Sequence, residues 1–172
     1  MKKVLFISSV GGHLTQLMQL KPLMKEYDYH VITEKTEVTK PLQQEHKNMS
    51  YLVYGARNYP VRYLFKFSYN VVKSLVLFLK IRPDAVVTTG THTAVPMCYI
   101  AKLFRKRIIY IESFAKTSSP TLAGRMIYPV SDLFIVQWES MLKHYPKAVY
   151  GGPSIDTRCF RYTRTPIHTT SE

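Results

Sequence analysis

The chain has 172 residues, room for one hydrophobic core but not for two of ordinary size. With 46% hydrophobic and 20% charged residues, its composition excludes a disordered polymer and fits a folded globular domain. A formal net charge of +13 points to an anionic partner, whether phospholipid head groups, a phosphate-bearing substrate or nucleic acid, with a merely solvated basic face as the plain alternative.

Residues 3–8 (KVLFIS) predict a buried strand. The apolar run that follows the two N-terminal lysines lasts only about five residues, short of the roughly 7–15 of a signal peptide. A turn with Gly11 and Gly12 leads into residues 13–27, where Leu14, Leu17, Met18, Leu20, Leu23 and Met24 recur at helical spacing. Residues 29–33 (YHVIT) and 51–54 (YLVY) predict two further strands, separated by a polar stretch with a short helix. Residues 61–81 predict a long helix.

Residues 84–89 (DAVVTT) make another strand, followed by Gly90-Thr91-His92-Thr93 and a helix reaching Phe104 with Pro96 in its first turn. Strands are predicted at 107–112 (RIIYIE) and 132–137 (DLFIVQ), helices at 121–130 and 139–144, and a last short strand at 148–150. Strands alternating with helices at this spacing predict an α/β fold, a single Rossmann-like doubly wound parallel sheet over residues 1–152. Residues 153–172 show turn residues and positive charge without a period and are expected to form a tail. There is no internal repeat.

Cys98 and Cys159 stand far apart, with no CxxC or Cys/His cluster, so neither a disulfide framework nor a metal site is expected and a reducing compartment is the default. The GxGxxG and GxxxxGK[ST] spacings are also absent, which removes most support for dinucleotide or P-loop chemistry; no cofactor is expected.

In open parallel sheets ligands bind beyond the C-terminal strand ends, where strand order reverses. Three chemistry-bearing residues fall at such ends: His13 after the first strand, His92 after the fourth and Glu112 at the end of the fifth. With the usual strand order, the first and fourth strands are neighbours, and His13 and His92 face one crevice with Glu112 nearby. Each also has a plainer reading: His13 as a residue of a first helical turn, His92 as part of a helix cap beside Thr91 and Thr93, and Glu112 as a carboxylate paired with Lys116 or Arg125.

The charge is uneven. Between His46 and Ile111 the chain carries eleven Lys or Arg and one acid, Asp84, a balance of +10. Within this segment, residues 61–81 hold fourteen Val, Leu, Ile, Phe or Tyr. Lys66, Lys73 and Lys80 recur every seven residues, with Arg62 and Asn70 one turn from Lys66, so the polar groups form a narrow stripe. Burying the lysines near a bilayer centre costs a few kcal/mol each, which disfavours a spanning helix. A helix lying in the interface plane with Arg62, Lys66, Lys73 and Lys80 near anionic head groups is the expectation; an ordinary sheet-covering helix is the alternative.

Taken together, SSVGGHLTQL, VVTTGTHTAVP and the run from IIYIESFAKTSSP through SDLFIVQWESMLKHYPKAVYGG resemble one family over roughly residues 3–152. It is the membrane-anchoring subunit family of the eukaryotic UDP-N-acetylglucosamine transferase of N-glycosylation, with bacterial capsule and exopolysaccharide counterparts of the PssD/CpsF type. The resemblance implies the N-terminal half of a GT-B glycosyltransferase, supplying the acceptor side and membrane attachment. A separate donor-binding subunit then holds most of the UDP-sugar contacts, and the acceptor is a polyprenyl-diphosphate-linked intermediate at the cytoplasmic face of the membrane. Eukaryotic members generally begin with a spanning anchor; none is read here, so attachment is expected through residues 61–81.

Carried onto this sequence, the resemblance places Ser9, Gly11, Gly12 and His13, then Gly90, Thr91 and His92, then Glu112 and Ser113 around the shared cleft. Metal-independent glycosyl transfer needs a base for the acceptor hydroxyl and donors for the leaving diphosphate. His13 and Glu112 are the two candidate bases; Ser8, Ser9 and the glycine-turn amides are candidate phosphate contacts. Two other classes compete with this reading: a basic nucleic-acid-binding α/β protein, disfavoured because no nucleic-acid motif accompanies the charge, and a free-standing small-molecule enzyme built on His13 and Glu112.

Overall fold

The computed structural model describes residues 1–54 and 60–152, with the backbone alone for 60–63. The tail expected over 153–172 and the side chain of Arg62 lie outside the described residues. Seven short strands, β1 Lys3–Ile7, β2 Asp28–Lys35, β3 Met49–Val53, β4 Ala85–Thr88, β5 Arg107–Ile111, β6 Leu133–Val136 and β7 Val149–Tyr150, form one sheet in the order β3-β2-β1-β4-β5-β6-β7. All six pairings are parallel. The strands are apolar on both sides because both faces are covered, as parallel crossovers require.

Six helices make those crossovers: α1 Gly12–Met18, α2 Lys21–Met24, α3 Leu42–Glu45, α4 Pro60–Ile81, α5 Val95–Leu103 and α6 Leu122–Ile127. Alternate strand residues feed two cores. Leu5, Ile7, Val86 and Ile108 meet Phe78 and Ile81 of α4, Met97 and Ala101 of α5, and Ile127 of α6. On the other face Val4, Phe6, Val87 and Ile109 meet Leu17 and Leu20, with Leu23 and Met24 of α2. The chain leaves β1 and β4, which are adjacent, toward opposite edges, so a crevice opens between their C-terminal ends. This is the neighbour relation the sequence predicted.

The helix predicted over 13–27 is instead two short ones. Pro22 lies in the first turn of α2 and lacks the N–H needed to continue α1, so the chain breaks at 19–20 and restarts. Pro129 acts likewise after α6: the predicted helix over 121–130 ends at Ile127 and passes into a single 3-10 turn, Tyr128–Val130. The short helix predicted at 139–144 is the 3-10 turn Glu139–Met141.

α4 extends over 22 residues, about 33 Å. Its inward side is Asn70, Ser74, Phe78 and Ile81 at helical spacing, all buried. Asn70 therefore leaves the polar stripe in which its spacing had placed it. Its amide donates to the Val53 carbonyl at 2.8 Å and accepts from the Val53 N–H at 2.9 Å, satisfying the backbone of β3 on the side where no further strand lies among the described residues. Lys66 and Lys80 are exposed and Lys73 is half-buried with its ammonium 5.7 Å from the Tyr69 ring. The outward pole is apolar: Phe65 (73% exposed), Val72, Val76 and Leu79, with Leu64, Tyr69 and Leu75 beside them. No helix among the described residues is long and apolar enough to cross a membrane.

Candidate functional site

The turn after β1 needs glycine at Gly11, which enters α1 with φ +83° and a backbone conformation that side-chain-bearing residues rarely adopt. Immediately afterwards the two turns at the switch point are tied together. His13 Nδ1 lies 2.7 Å from the Thr89 carbonyl, Thr89 Oγ1 donates back to the His13 carbonyl at 2.8 Å, and the Ser9 N–H donates to the Gly90 carbonyl at 3.3 Å. A carbonyl only accepts, so Nδ1 donates to it, and in the neutral ring the lone pair is then on Nε2.

His13 lies on a cavity of about 510 Å³. α1 contributes Gly12, Thr15, Gln16 and Gln19; the loop after β5 contributes Ser113, Phe114 and Ala115; β6 is followed by Gln137. Of the residues singled out from sequence, Gly12, His13 and Ser113 meet here, with Gly90 packed against the His13 ring. Thr91 and His92 are half-exposed beyond Gly90, Thr91 Oγ1 3.3 Å from His92 Nδ1, and do not line this cavity. Ser9 is buried at the end of β1.

Glu112 does not face the cavity. Its side chain points to the α5–α6 side of the sheet and the residue is 1% exposed. Oε1 accepts from Ser113 N and Thr121 Oγ1, both at 2.8 Å, and from Tyr110 OH at 3.4 Å; Oε2 accepts from Tyr145 OH at 2.8 Å and Thr121 N at 3.3 Å. Neutral donors thus fill the positions for which Lys116 or Arg125 was the expected partner. Burial, together with the Glu112 carboxylate, raises the Tyr145 hydroxyl pKa and pushes that of Tyr110 well above the usual tyrosine range, so both remain O–H donors. Thr121 also caps α6 by accepting from Gly124 N at 2.8 Å, and a Cβ on Gly124 would collide with Glu112 Oε2 and Tyr145 OH. Buried and accepting five hydrogen bonds, Glu112 is placed to organise the end of β5 behind the crevice.

Three residues of this region went unflagged. Gln16 donates to Gln137 Oε1 at 2.6 Å and to the Glu112 carbonyl at 3.1 Å, linking α1 to the ends of β5 and β6. Glu34 is buried at the end of β2, where it accepts from Val10 N (3.3 Å) and Thr93 Oγ1 (2.9 Å) and so joins the turns after β1 and β4. Burial raises its pKa. The rule that singled out Glu112, a polar side chain closing an apolar strand, applies equally to Glu34 after YHVIT and Gln137 after DLFIV.

The loop after β5 is braced from the other side. Trp138 Nε1 donates to the Phe114 carbonyl at 2.7 Å, His144 Nε2 lies 2.9 Å from the Ser118 carbonyl, and Ser140 donates to Thr117. The Phe114 and Trp138 rings lie 5.1 Å apart. Among the described residues no group of three or more His, Cys, Asp or Glu side chains is arranged to hold a metal ion.

Solved structures share this fold. The UDP-N-acetylglucosamine 2-epimerase from Rickettsia bellii is 16% identical with a TM-score of 0.70, over 97% of this chain and 50% of that one. MurG from Acinetobacter baumannii is 16% identical with a TM-score of 0.65, over 81% of this chain and 43% of that one. The chain therefore spans half or less of these GT-B-like neighbours. Nearer in sequence are proteins named UDP-N-acetylglucosamine transferase subunit ALG14. The Mus musculus protein is 29% identical over 87% of this chain and 82% of its own length; that of Rattus norvegicus is 30% identical over 87% and 81%. The Candida albicans protein is 39% identical over 49% of this chain and 41% of its own length. Residues 4–154 match the family described as oligosaccharide biosynthesis protein Alg14 like, and the chain belongs to that family.

Proposed function

We propose that this chain is the membrane-docking, acceptor-side subunit of a two-component glycosyltransferase. The complex adds a sugar to a polyprenyl-diphosphate-linked intermediate of capsular or exopolysaccharide assembly at the cytoplasmic face of the membrane. One observation carries the reading. The chain accounts for 43% and 50% of the two-domain-sized structures it resembles, yet for 82% of the mouse protein, which is itself named a transferase subunit. A second polypeptide supplies the other wall of the cleft and most contacts to the UDP-sugar.

In this reading His13 is the base. Its Nδ1–H is committed to Thr89, so Nε2 takes the proton from the acceptor hydroxyl as that oxygen attacks the anomeric carbon and the nucleoside diphosphate leaves. Glu112 is a positioning residue, fixing Ser113 and the loop after it. Ser9, Gly11, Gly12, Gly90, Thr91 and His92 border the crevice through which the acceptor's phosphates pass. The outer face of α4 rests at the head-group boundary, where each apolar side chain removed from water contributes up to about 1.5–3 kcal/mol. Lys66, Lys73 and Lys80 run along one flank, about a quarter-turn from the apolar pole, within reach of anionic lipid. Arg62 lies one helical turn before Lys66 in the sequence.

The test is reconstitution. This chain and a co-expressed donor-binding polypeptide, with vesicles carrying a polyprenyl-diphosphate sugar, are expected to consume UDP-N-acetylglucosamine only when both are present. Full turnover by the purified chain alone would reject the two-component reading.

A further inference from the structure

The two glycines that lead into His13 are held by little of their own. Gly11 and Gly12 are exposed, and nothing lies within 4 Å of the point where a Cβ would stand on either. Glycine has more backbone freedom to lose than any other residue, so an unpacked pair leaves the chain between β1 and α1 free to swing unless both of its ends are tied. The downstream end is tied by the reciprocal bonds between His13 and Thr89. At the upstream end the Ser9 N–H reaches the Gly90 carbonyl at 3.3 Å, and the next N–H, that of Val10, is taken by Glu34.

Glu34 reaches Val10 from behind the crevice. Strand alternation puts it on the face of Ile32, the side covered by α4 and α5, and it does not line the cavity beside His13. From the end of β2 its side chain passes the end of β1 to the turn after β4, two strands away in the sheet. Oε2 accepts from Val10 N at 3.3 Å and Oε1 from Thr93 Oγ1 at 2.9 Å. The residue is 2% exposed, and among the described residues no lysine, arginine or histidine forms an ion pair with it. A buried carboxyl met by two neutral donors is an expensive end for a strand. A serine or threonine would bring one oxygen where two separated donors must be met, whereas a carboxyl on a two-carbon stem links three strand ends at once.

Resting on the glycosyltransferase reading above, we infer that Glu34 is a positioning residue for the base: bridging Val10 and Thr93, it locks the glycine turn against the turn after β4 and so fixes where His13 presents Nε2. Glu34 itself touches neither substrate nor reacting atoms. Its action runs through hydrogen bonds rather than charge, because both donors are neutral. Glutamine in its place keeps both links, the oxygen accepting from Val10 N and the NH2 donating to Thr93 Oγ1, since a hydroxyl serves in either role. Alanine keeps neither.

The full-length chain, labelled with ¹⁵N in the backbone and the histidine rings, is compared with Glu34→Ala, Glu34→Gln and Thr93→Val under conditions where each is folded and His13 is neutral. Ring-nitrogen shifts give the share of His13 with its proton on Nδ1, and relaxation gives the order of Gly11 and Gly12. The native chain and Glu34→Gln are expected to show one tautomer and ordered glycines. Glu34→Ala and Thr93→Val should show mixed tautomers, with glycine order parameters falling to about 0.6 or below. In the reconstituted complex, per folded molecule, Glu34→Ala should lower kcat by about 10- to 100-fold with KM within about twofold, and Glu34→Gln should recover most of the loss. Should Glu34→Ala fail to fold, Thr93→Val, which preserves side-chain shape, decides in its place. An unchanged His13 tautomer and unchanged glycine order overturn the inference; so does an unaltered kcat, or Glu34→Gln as damaging as Glu34→Ala. Loosened glycines and mixed tautomers in the variants, with a native complex that transfers nothing, would reject the transferase reading and leave the Glu34 clasp standing.

Discussion

The C-terminal edge of the sheet and the outer face of α4 invert the usual distribution of side chains in opposite senses. At the edge, Glu34, Glu112, Gln16 and Gln137 are buried. Along α4, Phe65, Val72, Val76 and Leu79 are exposed while Asn70 and Ser74 are buried beneath them. A protein seeking only stability gains from neither arrangement, because buried carboxylates lose hydration and exposed phenylalanine forgoes burial. Paired departures of this kind mark the places where a fold is built around something other than itself. The edge borders the cavity beside His13; the helix keeps an apolar face exposed.

The comparison breaks most visibly at the edge. His13→Ala removes the only imidazole among the described residues that line the cavity and is expected to lower turnover of the reconstituted complex by about 10²–10⁴-fold, with little change in unfolding midpoint. A mutant of undiminished activity would take His13 out of the chemistry. Next in size are Glu112→Ala, which strands buried tyrosine and threonine donors, and Gly124→Ala, which drives a methyl into the same network. Each is expected to cost about 3 kcal/mol in urea unfolding. A loss below about 1 kcal/mol would mean that the network is dispensable.

α4 should behave in the contrary way. Phe65, Val72 and Val76 changed together to serine should leave the unfolding midpoint within experimental scatter, because the side chains already face water, while binding to anionic vesicles falls at least tenfold. Lys66, Lys73 and Lys80 changed to alanine should weaken the same binding by about 1 kcal/mol per lysine, an effect that disappears at high salt. Unaltered flotation of both variants would leave α4 without a membrane role.

The smallest effect sharpens the distinction between the two buried carboxylates. Glu34 has two donors where Glu112 has five, and burial raises its folded-state pKa. A raised carboxyl pKa means that the folded state holds its proton more tightly than the unfolded chain. The resulting stabilisation is complete below the ordinary value near 4.5 and is lost as pH rises through the raised one. The melting temperature of the native chain relative to Glu34→Gln should therefore fall as pH rises above the ordinary value of 4.5. A constant difference would place a compensating charge beside Glu34.

The parallel sheet was legible because apolar β-branched runs alternate with helical periods, and with the usual order for such sheets, which the structure has, His13 falls at the switch point. Interruptions were less legible. Pro22 and Pro129 sit in continuous apolar patterns that mask the loss of an N–H. Glu112 was found by position, but its direction was not: strand residues alternate between faces, so a carboxylate at a strand end points into the crevice or behind it according to a one-residue phase. Asn70 was misplaced for a related reason. Spacing along α4 groups it with lysines, and only the open edge of β3 explains why an amide belongs underneath.

That amide has a consequence for the molecule as a solution species. An unpaired outer strand invites another chain to extend the sheet, and a protein that also displays a hydrophobic helix is doubly liable to self-association. By offering Val53 one carbonyl and one N–H, Asn70 imitates a single residue of the missing eighth strand and occupies the template before a neighbour can. The same two bonds fix how α4 is rolled, so the side chain that blunts the sheet edge also determines which residues of α4 face outward.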